Sequence, residues 1–234
     1  MAAPHLPPSL LPRLSLVIPT LDAAADLPAT LESLAAWPEA ERIVVDGGSA
    51  DGTAALAEAA GCRVLAGPRG RGRQLAAGAA AAGGDWLLFL HADTRLSPGW
   101  PQAAGAFLAD PRSRDRAGWF RLRLDSPAAA ARRVERLANW RARRLGLPYG
   151  DQGLLIGRAL YESLGGHPPL PLMEDVALAR RLGRRRLVPL GAEALTSAAR
   201  YERDGWWRRP ARNLCLLALY FAGVAPERLA RLYG

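Results

Sequence analysis

The segment Trp86-Leu-Leu-Phe-Leu-His-Ala-Asp-Thr94 begins as an uninterrupted apolar run and ends in polar side chains. Such a run is typical of a central strand in a parallel sheet, because helices cover both of its faces. His91 and Asp93 follow the run directly, at the end of the strand where open α/β sheets bind their ligands. The segment therefore predicts an α/β fold with a ligand site beyond the tip of this strand.

Three shorter strands precede this one and alternate with helices. They are predicted at residues 14–18, 42–45 and 62–65, and the first is expected to stop at Pro19. Between the strands, apolar residues recur at helical spacing. A β-α-β-α-β-α-β order implies right-handed crossovers and a mostly parallel, twisted sheet flanked by helices.

Polar side chains follow the ends of several strands. Thr20 and Asp22 come after the first strand, Asp46 after the second and Asp93 after the fourth. Parallel strands end at one edge of the sheet, so we expect these side chains to face one crevice. Carboxylates there suit Mg²⁺ or Mn²⁺, which bind through oxygen and bridge to a diphosphate. Taken alone, Asp93 fits the capping of a turn equally well.

The second half of the chain is less regular. Residues 119–124 alternate apolar side chains with arginines, which predicts a half-solvated antiparallel strand. A basic helix is expected over residues 128–145, a strand over 152–156 and a helix over 173–182. Only the first of these elements carries a prediction about its direction in the sheet.

The 234 residues carry a net charge of +9, and all 31 basic residues are arginine. A chain of this length holds one sizeable α/β core. We divide it into a lead (residues 1–13), a main domain (14–205) and a C-terminal helical tail (206–234). The basic balance favours anionic partners but does not separate nucleotides from acidic lipids or nucleic acid. Cys62 and Cys215 make neither a disulfide framework nor a zinc site, which predicts a cytoplasmic protein.

The tail joins aromatic and basic residues to an apolar run. Trp206 and Trp207 precede several arginines and the apolar stretch 214–224. A helix of this kind is expected to dock on the core or on a second subunit, since apolar helices are usually buried against protein. The alternative is an interfacial helix at the inner face of the cell membrane, with aromatic rings at headgroup depth and arginines on anionic lipid.

Ordered motifs in the first half resemble those of family 2 glycosyltransferases, which have the GT-A fold. These motifs are Val17-Ile-Pro-Thr20, Val45-Asp-Gly-Gly-Ser49, Asp51-Gly-Thr53 and Gly84-Asp-Trp-Leu-Leu-Phe-Leu-His-Ala-Asp93. The similarity extends over about residues 14–201. Motifs similar to a bacterial subgroup labelled arsenosugar-biosynthesis glycosyltransferases are His91-Ala-Asp-Thr94, Pro148-Tyr-Gly-Asp-Gln-Gly153 and Met173-Glu-Asp175.

This resemblance implies an inverting, metal-dependent transferase that moves a sugar from a UDP-type donor to the hydroxyl group of a small or lipid-like acceptor. It also implies that the nucleotide sugar contacts Pro19, Thr20, Asp22, Asp46, Arg71, Arg73, His91 and Asp93. Asp46 would hydrogen-bond the base. Asp93 matches the last residue of the family's Asp-x-Asp motif and would bind Mg²⁺ or Mn²⁺.

The acceptor side is assigned in the same way. Asp175, with Glu174 beside it, matches the family's general base, which would deprotonate the acceptor hydroxyl. Carboxylates in the first turn of a helix are also favoured by the helix dipole without any catalysis. Contacts to the acceptor or the donor sugar are assigned to Asp151, Gln152, Arg200 and Tyr201. A glycine-bounded turn and a solvated surface arginine are the plainer interpretations of these segments.

The chain departs from the family pattern at three places. Asp22-Ala23 stands where many relatives have Asn-Glu, and Gly47 replaces the second carboxylate of an Asp-Asp pair. His91 replaces the first aspartate of the metal motif. A neutral imidazole lowers the negative charge of the site, so we expect weak metal binding in the absence of nucleotide.

Two other classes remain open. A sugar nucleotidyltransferase shares the strand order and the metal carboxylates, but its first loop usually carries glycines and a basic residue, where this chain has Pro19-Thr-Leu-Asp22. The other alternative is a basic nucleic-acid-binding module. The arginines are spread along the chain and are not interleaved with stacking aromatics, so no nucleic-acid partner is expected. A homodimer is compatible with the sequence.

Overall fold

The computed structural model describes residues 13–233. Its strands are β1 (Leu14–Thr20), β2 (Glu41–Asp46), β3 (Arg63–Ala66), β4 (Trp86–Phe89), β5 (Thr94–Leu96), β6 (Ala117–Leu124), β7 (Leu154–Gly157) and β8 (Leu187–Thr196). Its helices are α1 (Leu27–Leu34), α2 (Thr53–Ala59), α3 (Arg71–Ala81), α4 (Trp100–Ala109), α5 (Ala129–Leu145), α6 (Arg158–Ser163), α7 (Glu174–Leu182), α8 (Ala199–Asp204), α9 (Arg208–Phe221) and α10 (Pro226–Tyr233). The lead predicted for residues 1–13 lies outside the described residues, except for Arg13.

The strands join one eight-stranded sheet in the order β3-β2-β1-β4-β7-β6-β8-β5. The first four strands are parallel, and Ile18 of β1 lies opposite Val44 of β2. From β4 onwards the sheet is mixed, because β7 runs antiparallel to both β4 and β6. Four of the seven pairings are parallel. The predicted α/β fold, a mostly parallel sheet flanked by helices, is confirmed.

The sheet separates two apolar layers, because successive side chains of a strand point to opposite faces. In β1, Leu16 and Ile18 face a layer formed with α1, α2 and α4, whereas Val17 faces α3, α6 and α7. Trp100 of α4 is fully buried and stacks on Trp37, with the ring centroids 5.6 Å apart. Packing on both faces fixes the ends of the central strands, and so fixes the residues that follow them.

The prediction that the first strand stops at Pro19 is wrong, because β1 continues to Thr20. Pro19 pairs with Val45 of β2, whereas the register between β1 and β4 ends at Val17. The proline therefore lies at the end of the ladder, where the absence of a backbone N–H group is tolerated.

The antiparallel direction predicted for the strand over residues 119–124 is wrong. β6 runs parallel to β8 from Ala117 to Leu124, with one irregularity, and is antiparallel to β7 only at Ala117 and Gly118. The predicted alternation holds, because Leu122 is buried and Arg121 is exposed. Alternation reports which face of a strand is buried, and it contains no information about the direction of the neighbouring strand.

A short loop, residues 67–70, connects β3 to α3. α3 begins at Arg71, after Gly70 with a φ of 128°, so both Arg71 and Arg73 lie in the first turn of a helix. Arg73 is exposed there, whereas Arg71 turns towards the protein. The helix places the two arginines on different sides.

The tail packs on the main domain. Leu216, Leu217 and Leu229 are buried in a cluster with Met173 and Val176. This packing agrees with docking on the core, and the domain boundary at residue 205 stays a prediction. Within residues 13–233, no helix combines the length and the apolar character needed to cross a bilayer.

Candidate functional site

A cleft of about 840 Å³, which includes space open to solvent, lies beyond the end of β4. Eight of the predicted residues line it: Arg71, His91, Asp93, Asp151, Glu174, Asp175, Arg200 and Tyr201. They come from the start of α3, the loop after β4, the turn before β7, the start of α7 and α8. Segments that are far apart in sequence thus meet near the carboxyl ends of parallel strands, where open α/β sheets bind ligands.

Other predicted residues lie elsewhere. Pro19, Thr20, Asp22 and Asp46 group at the ends of β1 and β2, and Arg73 is exposed on α3. Of the described residues that line the cleft, none is among these five. The cleft therefore does not join Asp46 to Asp93 in the single crevice that the strand order predicted.

Asp46 is held by the turn that follows β2. Its carboxylate accepts four hydrogen bonds, from the hydroxyl groups of Thr20 and Ser49 and from the N–H groups of Gly48 and Ser49. Burial opposes ionisation, but these bonds outweigh it and leave the pKa of Asp46 below its usual value. The side chain fixes the loop, and a contact with a nucleotide base would have to share its oxygens.

Gln152 is fully buried and is not part of the cleft wall in the described structure. Its amide nitrogen donates to the carbonyl oxygen of Phe120 and to the side-chain oxygen of Asn139, and its side-chain oxygen accepts from Arg141. The residue ties the turn before β7 to β6 and α5. Direct ligand contact, which the motif suggested, does not fit a side chain whose amide is buried and already bonded.

Asp93 presents a carboxylate to the cleft and fits a divalent cation. The guanidinium group of Arg200 lies 3.9 Å from this carboxylate, and 56% of the arginine side chain is exposed. Within residues 13–233, no cluster of three or more His, Cys, Asp or Glu side chains forms a complete metal site. Cations such as Mg²⁺ often bind one or two carboxylates and complete their shell with phosphate oxygens and water. The donor set therefore fits a metal that binds together with a diphosphate.

His91 stands next to Asp93, where its surroundings keep the imidazole neutral. Burial, followed by the positive charges of Arg71 and Arg200, lowers the pKa of His91 well below its usual value. Its Nε2 atom lies against Gly150, where a Cβ would come within 2.3 Å of it. Among the described residues, this buried nitrogen has no hydrogen-bond partner. The histidine adds no positive charge to the site and leaves one ring nitrogen unpaired.

Arg71 and Glu174 connect two helices that border the cleft. The Arg71 guanidinium lies 3.5 Å from the Glu174 carboxylate, and the glutamate side chain is only 2% exposed. Gly72 permits this approach, since a Cβ there would meet the carbonyl oxygen of Pro168 at 2.3 Å. Burial raises the pKa of Glu174 to about 7, while Arg71 opposes the shift and Asp175 adds to it. Glu174 therefore exchanges its proton near neutral pH.

Asp175 lies in the first turn of α7 and faces the cleft. Its carboxylate accepts the N–H of Gly150 at 2.9 Å and the N–H of Val176 at 2.7 Å. The N-terminus of α7 also stabilises its negative charge. Met173, directly before the helix, has a φ of 69°, a left-handed conformation that costs a non-glycine residue about 1–3 kcal/mol. Strain of this kind clusters at functional sites.

Asp151 is a further carboxyl group of the cleft. Burial raises the pKa of Asp151 to about 6, with Arg141 opposing the shift and Asp175 and Asp93 adding to it. Its Oδ1 atom is buried without a hydrogen bond in the part of the chain that the structure describes. An unsatisfied buried oxygen costs free energy, which a donor on a bound molecule would recover.

The tail supplies cleft residues that the sequence did not predict. Arg209, Asn213, Leu216 and Tyr233 line the cleft from α9 and α10. Arg209 is buried and donates to Asp204 at 2.7 Å and to the Tyr233 hydroxyl at 3.0 Å. Motif and periodicity do not mark these positions, because tertiary packing brings them to the site. The sequence of the tail predicts that it docks on the core, but it does not predict that its side chains line the cleft.

Comparison with known proteins shows to which family the chain belongs. The family described as Glycosyl transferase family 2 matches residues 15–155, from β1 into β7. No curated protein matches the sequence. Solved structures do match the chain.

S. aureus TarS 1–349 is 20% identical, with a TM-score of 0.64 over 80% of this chain. Glucosyl-3-phosphoglycerate synthase from Mycobacterium tuberculosis is 23% identical, with a TM-score of 0.58 over 84% of this chain and 76% of its own. Mannosyl-3-phosphoglycerate synthase from Rubrobacter xylanophilus is 19% identical, with a TM-score of 0.56 over 77% of this chain and 66% of its own. The matched part spans 60% of TarS 1–349.

These similarities confirm the predicted GT-A fold. Because the sequence identities are below 25%, they support a conclusion about the fold only. The family match carries the stronger conclusion, because it covers more than half of the sequence and includes β1, β2 and β4 with the loops that follow them. The chain belongs to glycosyl transferase family 2.

Proposed function

We propose that this protein is an inverting glycosyltransferase that uses a UDP-type sugar donor, Mg²⁺ or Mn²⁺, and a small or lipid-like acceptor with a free hydroxyl group. The observation that carries the proposal is the convergence of Asp93 and Asp175 on one cleft beyond the end of β4. Family membership supports the class of reaction. Similar solved structures contain UDP, UDP-GlcNAc, or Mn²⁺ with UDP, which supports the choice of donor and cation.

On the donor side, the nucleoside is assigned to the ends of β1 and β2, at Pro19, Thr20, Asp22 and Asp46. A contact between Asp46 and the base would share an oxygen that already accepts a bond within the turn. The diphosphate is assigned to the region between this group and the cleft, with Arg71, Arg73, His91, Asp93 and Arg200 as its expected contacts.

Asp93 would hold the divalent cation together with the diphosphate. When bound, the cation neutralises the negative charge that develops on the departing nucleotide. Arg200 is exposed and paired only loosely with Asp93. Its guanidinium fork suits phosphate oxygens, so the side chain can leave the carboxylate and bind the donor.

On the acceptor side, Asp175 is assigned as the general base. Two N–H groups and the start of α7 hold its carboxylate in a fixed orientation, as a proton acceptor requires. The base would take the proton of the acceptor hydroxyl while its oxygen attacks the sugar carbon from the face opposite the leaving group. Direct displacement inverts that carbon and needs no covalent enzyme intermediate.

Neighbouring residues would position this base. Glu174 and Arg71 connect α7 to α3, and Gln152 holds the turn whose Gly150 N–H bonds Asp175. Asp151 and Tyr201, in the cleft wall, are assigned to the sugar or the acceptor. Three short motifs support the assignment of this protein to the neighbourhood of the arsenosugar-biosynthesis subgroup. Residues 14–205 are assigned as the catalytic domain.

Asp175→Asn tests the assignment of the base. We expect kcat to fall by roughly 10²–10⁴-fold, the usual contribution of general base catalysis, while the Kd for UDP changes little. Turnover of UDP-sugars is measured by UDP release, and Kd by calorimetry. Asp115→Asn, which removes an exposed carboxylate from the surface turn Pro111–Asp115, is the matched control. Wild-type turnover in Asp175→Asn would remove this residue from the mechanism.

Asp93→Asn tests the donor site. Mn²⁺ should raise the Tm of the wild-type protein in the presence of UDP and have little effect alone, because one carboxylate and the diphosphate share the cation. The substitution should abolish that increase. If pyrophosphate, not UDP, is released from mixtures of UTP and sugar phosphates, the protein is a nucleotidyltransferase and the proposal fails.

A further inference from the structure

α9 exposes an apolar stripe on the side that faces away from the main domain. Trp207, Ala211, Leu214, Ala218 and Phe221 follow the helical spacing of three and four residues, and all five are exposed. The exposed fractions are 71% for Trp207, 64% for Leu214 and 49% for Phe221. We name these five residues the tail face. Contiguous exposed apolar surface marks interaction sites more often than scattered single residues do.

The tail face is not needed to hold the helix in place. Leu216 and Leu217, on the other side of α9, are buried in the cluster that includes Met173 and Val176. The helix is therefore already fixed by one apolar side, and its second apolar side remains on the surface. A partner outside the main domain would account for the second side.

Arginines border the tail face at both ends. The guanidinium of Arg133, from α5, lies 5.1 Å from the ring centroid of Trp207. The guanidinium of Arg180, from α7, lies 5.0 Å from the ring centroid of Phe221. The sequence of α9 contains arginines but neither Asp nor Glu. The border of this apolar stripe thus carries positive charge, with its cations placed beside aromatic rings.

We propose that the tail face docks this protein on the surface of an anionic lipid bilayer. Aromatic rings and leucines of an interfacial helix enter the boundary between headgroups and acyl chains, and arginines beside them bind lipid phosphates. A second copy of the chain fits poorly, since two such borders would bring arginines against arginines. A nucleic acid would use the arginines but would leave the apolar stripe in water.

Docking of this kind has a consequence for the cleft. Asn213 and Leu216 of the same helix line the cleft, next to Leu214 and Leu217 in sequence. A bilayer against the tail face would therefore lie one helix diameter from the cleft. The proposal does not depend on the assigned reaction, because it rests on the tail face and on the arginines of α5 and α7 that border it.

Vesicle sedimentation tests the proposal with the full-length protein. The vesicles are phosphatidylcholine with and without one third phosphatidylglycerol, each in low and high salt. The variant is Leu214→Glu, and the matched control is Leu56→Glu, which makes the same change at an exposed leucine of α2. Both variants lose the same net charge, so only the site of the change differs between them.

We expect the wild-type protein to sediment with the anionic vesicles in low salt and to bind phosphatidylcholine weakly. Leu214→Glu should weaken binding by at least about tenfold, because it removes a leucine from the apolar contact, whereas Leu56→Glu should retain most of it. Wild-type protein that stays in solution with anionic vesicles overturns the proposal. So does equal weakening by both variants, which would show that net charge alone drives binding.

The oligomeric state in solution is measured alongside by sedimentation velocity. A lipid-docking face predicts a wild-type species whose size Leu214→Glu does not change. A dimer that Leu214→Glu dissociates would show that a second copy covers the tail face, and it too would overturn the proposal.

Discussion

Two groups of polar side chains lie at the same edge of the sheet and differ in how fully they are hydrogen-bonded. At the ends of β1 and β2, Asp46 accepts four hydrogen bonds, and Asp51 holds the start of α2 through Thr53. Around the cleft, buried atoms of His91 and Asp151 have no hydrogen-bond partner within residues 13–233, and the Oε1 atom of Glu174 has only the ion pair with Arg71 at 3.5 Å. The carboxylates of the first group thus have hydrogen-bond partners within the protein, whereas the second group contains buried atoms without such partners.

The difference separates residues that shape a loop from residues prepared for a ligand. Buried polar groups in proteins are almost always hydrogen-bonded, so several unpaired atoms in one cleft need an explanation. A bound donor and acceptor would supply the missing partners. Asp46 and His91, which the resemblance assigned to one nucleotide-sugar site, thus differ in how fully they are hydrogen-bonded, and stability measurements can test what that difference means.

The largest effect on stability is expected at Asp46. Asp46→Ala leaves four donors without their acceptor, and we expect the free energy of unfolding to fall by about 3–4 kcal/mol. Urea unfolding measures this change. Asp110→Ala, which removes a carboxylate bonded to Arg112 on the surface, should lower stability clearly less. Equal losses would mean that the bonds of Asp46 contribute no more than surface contacts, and the comparison would fail.

An intermediate effect is expected from the pH dependence of Glu174. Its pKa of about 7 in the folded protein lies above the ordinary value of 4.5, so the folded state binds more protons than the unfolded state between these values. Stability should therefore fall as the pH rises from about 4.5 to about 7, by roughly 2–3 kcal/mol from this group. Glu174→Gln cannot ionise and should lack that part of the decline. Parallel profiles of unfolding free energy against pH would contradict the assignment.

The smallest effect, with the opposite sign, is expected at Asp151. Its raised pKa of about 6 means that the carboxyl ionises less readily in the folded protein than in the unfolded chain, so its charge lowers stability at pH values above 6, where both states are ionised. Asp151→Asn should therefore stabilise the protein at pH 7.5 by about 1 kcal/mol, or roughly 2–4 °C in Tm, and should reduce activity. A lower Tm would show that the Asp151 carboxylate is part of the scaffold, like that of Asp46.

The first half of the fold could be predicted because its strands are short apolar runs separated by helical spacing. β5 and β8 escaped prediction for physical reasons. β5 has only three residues, and β8 contains Pro189 and Gly191, which interrupt the alternation of apolar and polar side chains. The direction of β6 depends on β8, so the error at β6 followed from the missing strand.

The residues of the candidate site also fall into those that the sequence predicts and those that it does not. Asp93 and Asp175 could be predicted because one follows a strand and the other begins a helix, both in recognisable motifs. Arg209, Asn213 and Tyr233 could not, since a tail that folds back decides their place and local sequence does not record that path. The burial of Gln152 was missed for a related reason, because a motif shows that a residue matters without showing which way it points.

The left-handed backbone of Met173 connects the packing of the tail to the geometry of the candidate site. A bulky residue keeps that conformation only while its surroundings enforce it, and Met173 is held in a cluster with Leu216 and Leu229 of the tail. If the tail withdrew, we expect the backbone of Met173 to relax towards the right-handed region and to rotate the first turn of α7, which carries Asp175. The packing of the last helices on Met173 therefore connects the C-terminal end of the chain to the orientation of Asp175.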